Sequence, residues 1–280
     1  MASVRLNGFL PPDYAGGAVS GPVGGAQPLM ASDMVEIGDA RALQAGSASE
    51  AACFAEHGFV LLPHASAVRD WDADVPLYNE EIGAVIRDRL FPGRRIEIQA
   101  GGPPLRRGRG TPVPFYAEGV HSDGGAGVED YAHNIAAFAG AAAGEWWRTG
   151  YDRDEVDGLV WLDFWRTTNM AGPLEHMPLA LLDVATLDSA DCVSTSLTGI
   201  APEGRETRHL SLRFNPAQRW YSYPHMTVDE VLVFKLMAFW KDLQPPQNCF
   251  HSAFRHPDAP ADAEERQSCE HRVGVVVLRD

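Results

Sequence analysis

Apolar residues recur along this chain first at helical spacing and later in short runs of strand type. The segment SASEAACFAEH, residues 47–57, opens on serines able to cap a helix and stops at Gly58. The apolar run Phe59 to Leu62 then reads as a strand. Pro76 suits a first helical turn, and Leu77, Ile82, Val85, Ile86 and Leu90 share one stripe, which predicts a second helix from Pro76 to Leu90. Strand 95–99 follows. Residues 101–110 carry Arg106, Arg107 and Arg109 and read as a loop over a site or at its rim. The alanine-rich stretch from Val128 to Trp147 reads as a third helix.

Beyond it lie eight runs rich in β-branched and aromatic residues: 159–166, 179–184, 192–197, 208–214, 218–223, 231–237, 249–254 and 267–278. Pro, Gly, Asn and Asp separate them. Strands that follow one another without intervening helices argue for an antiparallel barrel and against βαβ units. The expected fold is mainly β with flanking helices, a double-stranded β-helix of the jelly-roll, cupin-like kind. Residues 1–45, rich in Gly, Ala and Pro, read as an extended N-terminal arm in preference to a packed element. Residues 46–280 read as a single barrel domain whose first part is helical.

Composition narrows the partners. The 280 residues are 45% hydrophobic, enough for a packed core, and carry a formal net charge of −15. So acidic a surface repels phosphate backbones and anionic headgroups, so neither nucleic acid nor membrane is expected. No apolar run approaches the roughly 18 residues of a spanning helix. The opening MASVRLNGFLPPDY lacks the apolar core of a secretory signal, and a cytoplasmic protein is expected. Cys53, Cys192, Cys249 and Cys269 form no CxxC pair and read as reduced thiols.

Candidate chemistry centres on His121 and Asp123. In an extended segment, residues two apart project from one face, so both side chains can reach one ion. Two His and one carboxylate on one face of an octahedron leave Fe(II) open positions for a bidentate keto acid and O2. The distal His is then His251, in NCFHSAF. An isolated H-x-D pair carries little weight, since about one is expected by chance in such a chain. His256 and Asp258 form another, but Pro257 resists regular strand pairing and too little chain follows. Fifteen positions after His251 come Arg266 and Ser268, an R-x-S pair whose guanidinium fork and hydroxyl suit the far carboxylate of 2-oxoglutarate. Arg272 lies on the same strand face and is the alternative anchor. Trp165, Arg166 and Tyr221 are candidates for a substrate pocket, although aromatic strand residues are usually core. His133, His176, His209, His225 and His271 lack comparable partners and read as structural or exposed.

In order along the chain, residues 58–96, the HSD at 121–123, LDFWRTTNMAGPLEHMPLALLD (162–183), FNPAQRWYSYPHMTVDEVLVFK (214–235) and HSAFRHPDAPADAEERQSCEHR (251–272) resemble the CmcJ/AsaB-like oxygenases. That group includes the cephem methoxylase component and gibberellin desaturase-like proteins. The resemblance runs from Gly58 to the C-terminus. It implies an Fe(II)- and 2-oxoglutarate-dependent oxygenase that uses O2, with the iron-ligand role on His121, Asp123 and His251. The implied substrate is a small biosynthetic intermediate, amino-acid-derived or another secondary metabolite. Departures at Thr167, after Arg166, and at Ala238 and Phe239, after Phe234 and Lys235, would reshape a substrate pocket and leave the iron untouched. Two rival readings share the ligands: a cupin-like isomerase or hydrolase without 2-oxoglutarate, and a non-catalytic binding protein.

Overall fold

Most of the short runs of the C-terminal half become strands of two sheets that enclose a common core. A computed structural model describes residues 2–14, 30–99, 101–242 and 247–279. The strands are β1 (Ala2–Phe9), β2 (Ala31–Asp39), β3 (Phe59–Pro63), β4 (Ile96–Gln99), β5 (Leu105–Arg107), β6 (Val156–Thr167), β7 (Leu179–Leu182), β8 (Cys192–Leu197), β9 (Thr207–Leu212), β10 (Trp220–Ser222), β11 (Glu230–Trp240), β12 (His251–Ala253) and β13 (Ser268–Leu278). The α-helices are α1 (Ala40–Ala45), α2 (Glu50–His57), α3 (Val75–Val85), α4 (Val128–Ala139) and α5 (Ala141–Asp152). One sheet runs β1-β2-β10-β7-β12 and the other β3-β11-β6-β13-β4, with β5 also on β13 and a separate β8-β9 pair. All pairings are antiparallel except β2 with β10.

Two apolar layers explain why β6, β11 and β13 read as near-continuous apolar runs. Their inward residues, among them Trp161, Trp165, Phe234 and Val276, pack with Leu179 and Leu181 of β7 between the sheets. Their outward residues, among them Leu162, Phe164, Val233 and Val275, meet Phe54 of α2 and Tyr78 and Ile82 of α3. A strand covered on both faces cannot alternate apolar with polar. The five-stranded sheet has its own outer layer, where Val4, Leu6, Val35 and Ile37 pack with Leu210, Leu212 and Trp220.

Local signals act where the sequence puts them. The Ser49 hydroxyl accepts from Ala52 N at 3.1 Å and starts α2. Gly58 ends α2 at φ 83°, and a Cβ there would meet Val184 Cγ1 at 2.6 Å. The helix expected to reach Leu90 does so, its last turn widening to π geometry over residues 86–90. The helix expected over 128–147 is two: Gly140, at φ 94°, ends α4 and lets α5 leave in a new direction. The arm read over residues 1–45 contains paired strands, β1 and β2, whose alternation of Val4 and Leu6 with Val35 and Ile37 is short but buried. Residues 15–29 of it lie outside the described residues. All four cysteines are free. Among the described residues, no helix is long and apolar enough to cross a membrane.

Candidate metal centre

His121 and His251 are joined through their backbones. Each amide donates to the other residue's carbonyl at 3.1 Å, an isolated antiparallel bridge that adds the 121 segment to the edge of β12. Asp123 projects beside His121, as the spacing of two requires. The turn after it is held by Ser122, whose buried hydroxyl accepts from Asn248 Nδ2 at 3.0 Å and from Gly124 N at 3.3 Å. Gly124 packs closely on Met237, whose side chain would have to move for a Cβ, 2.3 Å from its Cε.

Ligand atoms of His121, Asp123 and His251 all lie within 4.8 Å of one another. His121 Nε2 is 3.9 Å from Asp123 Oδ1, and the two imidazole centroids are 4.3 Å apart. Both rings are oriented from behind. Nδ1 of His121 lies 2.6 Å from Gly119 O, and Nδ1 of His251 lies 3.1 Å from Cys249 O. A carbonyl only accepts, so each Nδ1 carries the proton and each Nε2 turns a lone pair toward the cluster. This is the tautomer that a metal needs.

Electrostatics agree with that donor set. Burial, helped by His121, lowers His251 to about 3, so the imidazole is neutral at physiological pH. Burial alone would raise Asp123, but the Arg272 guanidinium, foremost among its charged neighbours, works against it, and the carboxyl is held well below its usual range. Arg272 Nη2 donates to Asp123 Oδ2 at 2.9 Å and lies 3.6 Å from Glu270 Oε2.

The remaining sequence candidates separate by strand face. Arg266 is 1% exposed and lines the pocket around the triad. Its Nη1 donates to Met177 O, its Nε has no partner, and its guanidinium lies 4.2 Å from the Tyr116 ring centroid and 5.4 Å from that of Trp165. Burial lowers Arg266 to about 10, leaving it charged at neutral pH, and among the described residues it makes no ion pair. The Ser268 hydroxyl is buried and unpartnered, as is that of Thr167, its cross-strand neighbour. Trp165 lines the pocket. Tyr221 shares the inner core but packs on Phe59 with centroids 6.2 Å apart, away from the pocket wall.

Arg166 is not at the site. Strand alternation turns it to the outer face, where it donates to His64 O at 2.9 Å and to Val228 O, near Trp71. His256 and Asp258 lie outside the triad, Asp258 N donating to His256 Nδ1 at 3.2 Å beside Phe254.

Among the pocket residues that sequence reasoning missed are Asp163, Glu270, Phe234 and Leu179, and Arg107 as a wall residue. Arg107 sits on β5 and binds Glu270 through Nε. Asp163 is 1% exposed, hydrogen-bonds nothing through Oδ1, and is raised well above the usual carboxylate range by burial and by Glu270. Their signal was a charge at inward positions of apolar strands: Asp163 alternates with Trp161 and Trp165, and Glu270 with Ser268 and Arg272.

The pocket holds about 20 Å³ of free space, room for about one water. A larger cavity of about 470 Å³, lined by residues including Ile37, Leu174, Pro178 and His256, brings no such trio of ligand atoms together among the described residues.

Comparisons with known proteins bear on fold and chemistry. A family model described as "YDMC: Oxidoreductase/YMDC permease-like domain" matches residues 155–276. Aspirochlorine biosynthesis protein N of Aspergillus oryzae is 35% identical over 112 residues, 40% of this chain and 45% of that protein. The Fe(II)/2-oxoglutarate-dependent dioxygenase nvfI of Aspergillus novofumigatus is 29% identical over 109 residues, 39% of this chain and 37% of that one. The matched segment therefore spans less than half the length of either curated relative. Two solved structures of the iron and alpha-ketoglutarate-dependent endoperoxidase NvfI align over 99% of both chains, with TM-scores of 0.70 and 0.71 at 20% and 19% identity. This chain shares their fold.

Proposed function

We propose that this protein is a non-haem Fe(II)- and 2-oxoglutarate-dependent oxygenase of small-molecule biosynthesis, built on a jelly-roll barrel and acting in the cytoplasm. The observation that carries the reading is the triad: three ligand atoms within 4.8 Å, with both imidazoles locked in the metal-binding tautomer. The iron and 2-oxoglutarate named in the nvfI relatives support the same chemistry, and the ordered sequence blocks support a place among the CmcJ/AsaB-like enzymes.

The parts divide as follows. His121 Nε2, Asp123 and His251 Nε2 would hold the metal. Arg266, buried and in no ion pair among the described residues, fits the far carboxylate of 2-oxoglutarate, and the free hydroxyls of Ser268 and Thr167 supply further donors. Bound there with O2, iron and the keto acid supply the oxidising power to break a C–H bond, which amino-acid side chains lack. Trp165, Phe234 and Leu179 form an apolar wall that excludes water and sets which C–H bond is within reach. The substrate is a small biosynthetic intermediate, oxidised by hydroxylation, desaturation or oxidative cyclisation.

The test is anaerobic addition of Fe(II) and then 2-oxoglutarate to the full chain. A visible metal-to-ligand absorption band is expected in the wild type and is expected to vanish in His251→Ala, with the far-UV circular dichroism unchanged. A band of equal strength in the variant, or none in the wild type, overturns the assignment.

A further inference from the structure

Two arginines border the triad, and their surroundings differ. Arg266 has a backbone carbonyl and two aromatic faces for company. Arg272 is already committed: its Nη2 donates to Asp123 Oδ2 at 2.9 Å and lies 3.6 Å from Glu270 Oε2, while Glu270 is held in turn by Arg107. The opposite oxygen, Asp123 Oδ1, is the one that faces His121 Nε2 at 3.9 Å. The base of Arg272 is fixed as well, because β13 pairs there with β6 and places it opposite Asp163, between the stretches of β13 that pair with β5 and with β4.

We propose that Arg272 is a positioning residue for the metal-binding carboxylate and not a cosubstrate anchor: it holds Asp123 by Oδ2 so that Oδ1 alone is presented beside the two imidazoles. The inference rests on reading the triad as a metal site. Two physical arguments carry it. A carboxylate free to rotate can offer one oxygen or both, and a charge-assisted hydrogen bond to one of them removes that freedom. A keto acid reaching for Arg272 would also have to enter beside Asp123 and Glu270, two carboxylates in ion pairs with it, whereas Arg266 makes no ion pair among the described residues. The chain Arg107, Glu270, Arg272, Asp123 thus ties the ligand to β5 and β13 of the larger sheet, although its histidine neighbours belong to the smaller one.

Mn(II) affinity of the full-length protein, measured by calorimetry, tests this without turnover. Arg272→Gln is expected to bind Mn(II) about 10- to 100-fold more weakly than wild type, the usual cost of losing a ligand's hydrogen-bond partner. Its Co(II) absorption spectrum is expected to differ from that of the wild type. Once saturated with Mn(II), it is expected to bind 2-oxoglutarate as the wild type does, while Arg266→Gln loses that affinity and keeps the metal. Unchanged Mn(II) affinity with an unchanged Co(II) spectrum overturns the proposal, as does a loss of 2-oxoglutarate binding with Mn(II) binding intact. Arg272→Lys keeps the charge and an N–H donor on a shorter, unforked head, and is expected to recover part of the Mn(II) affinity. Should the glutamine variant not fold, a Co(II) spectrum identical to wild type in Arg272→Lys overturns the proposal instead. Failure of the wild type to bind Mn(II), or full binding by His251→Ala, strikes the metal-site reading itself.

Discussion

Burial acts on single histidines in this protein in a direction that can be measured. His271 lies on the outer face of β13, is fully buried, and meets Asn79 Oδ1 through Nε2 at 2.8 Å. Burial lowers it from 6.5 to about 4, so it is neutral in the folded chain and takes up a proton far more readily when unfolded. Its contribution to stability is therefore whole above pH 6.5 and is lost as pH falls toward 4, by roughly 3 kcal/mol. Urea unfolding at pH 7 and pH 4.5 checks this: wild type is expected to lose more stability between the two than His271→Gln, and equal losses would contradict it. At the same scale, the H-x-D pair was legible because a spacing of two is a strand property that needs no tertiary information. The bridge between His121 and His251 was not, since nothing local joins residues 130 positions apart.

At the level of elements, β6 decides which side chains meet. Its inward row includes Trp161, Asp163 and Trp165 and its outward row Leu162, Phe164 and Arg166, so a single step along the strand separates a pocket wall from a buried arginine beneath α3. The sequence supported both placements of Arg166, because a strand buried on both faces shows no polar side. Contact between β13 and α5 is tighter still. A Cβ at Gly274 would lie 2.5 Å from Trp147 Cη2 and 3.1 Å from Tyr131 Oη. Gly274→Ala is expected to destabilise the fold by about 1–3 kcal/mol. Trp147→Leu opens the same space, and the double variant is expected to be more stable than the sum of the two single changes predicts, by at least about 0.5 kcal/mol. Strict additivity in denaturant melts would show that the two do not share the contact.

Over the whole molecule, the candidate centre lies where the two sheets meet. His121 and His251 hang on the five-stranded sheet, and Arg272, Asp163, Trp165 and Phe234 come from the other. An ion bound to the triad stabilises the folded chain alone, because unfolding scatters ligands that are remote in sequence. Mn(II) at 100 times its Kd should add about 2.7 kcal/mol to stability. Tm is expected to rise by several degrees with Mn(II), to fall back on chelation, and not to move in His251→Ala. An equal rise in that variant would mean that the ion binds elsewhere.

Periodicity, caps and turn residues were enough to give most strands to within a few residues, the start of α2, its stop at Gly58, and a mainly β chain with helices ahead of its long strand series, since each depends on neighbours in sequence. They also carried the donor types at 121, 123 and 251. Tertiary structure alone decided that α4 and α5 part at Gly140, that β1 and β2 join a sheet, that Arg166 turns away, and that Arg272 takes Asp123 while Arg266 makes no ion pair among the described residues. These outcomes depend on which face of a strand is covered and by what, and that is set by packing between segments far apart in the chain.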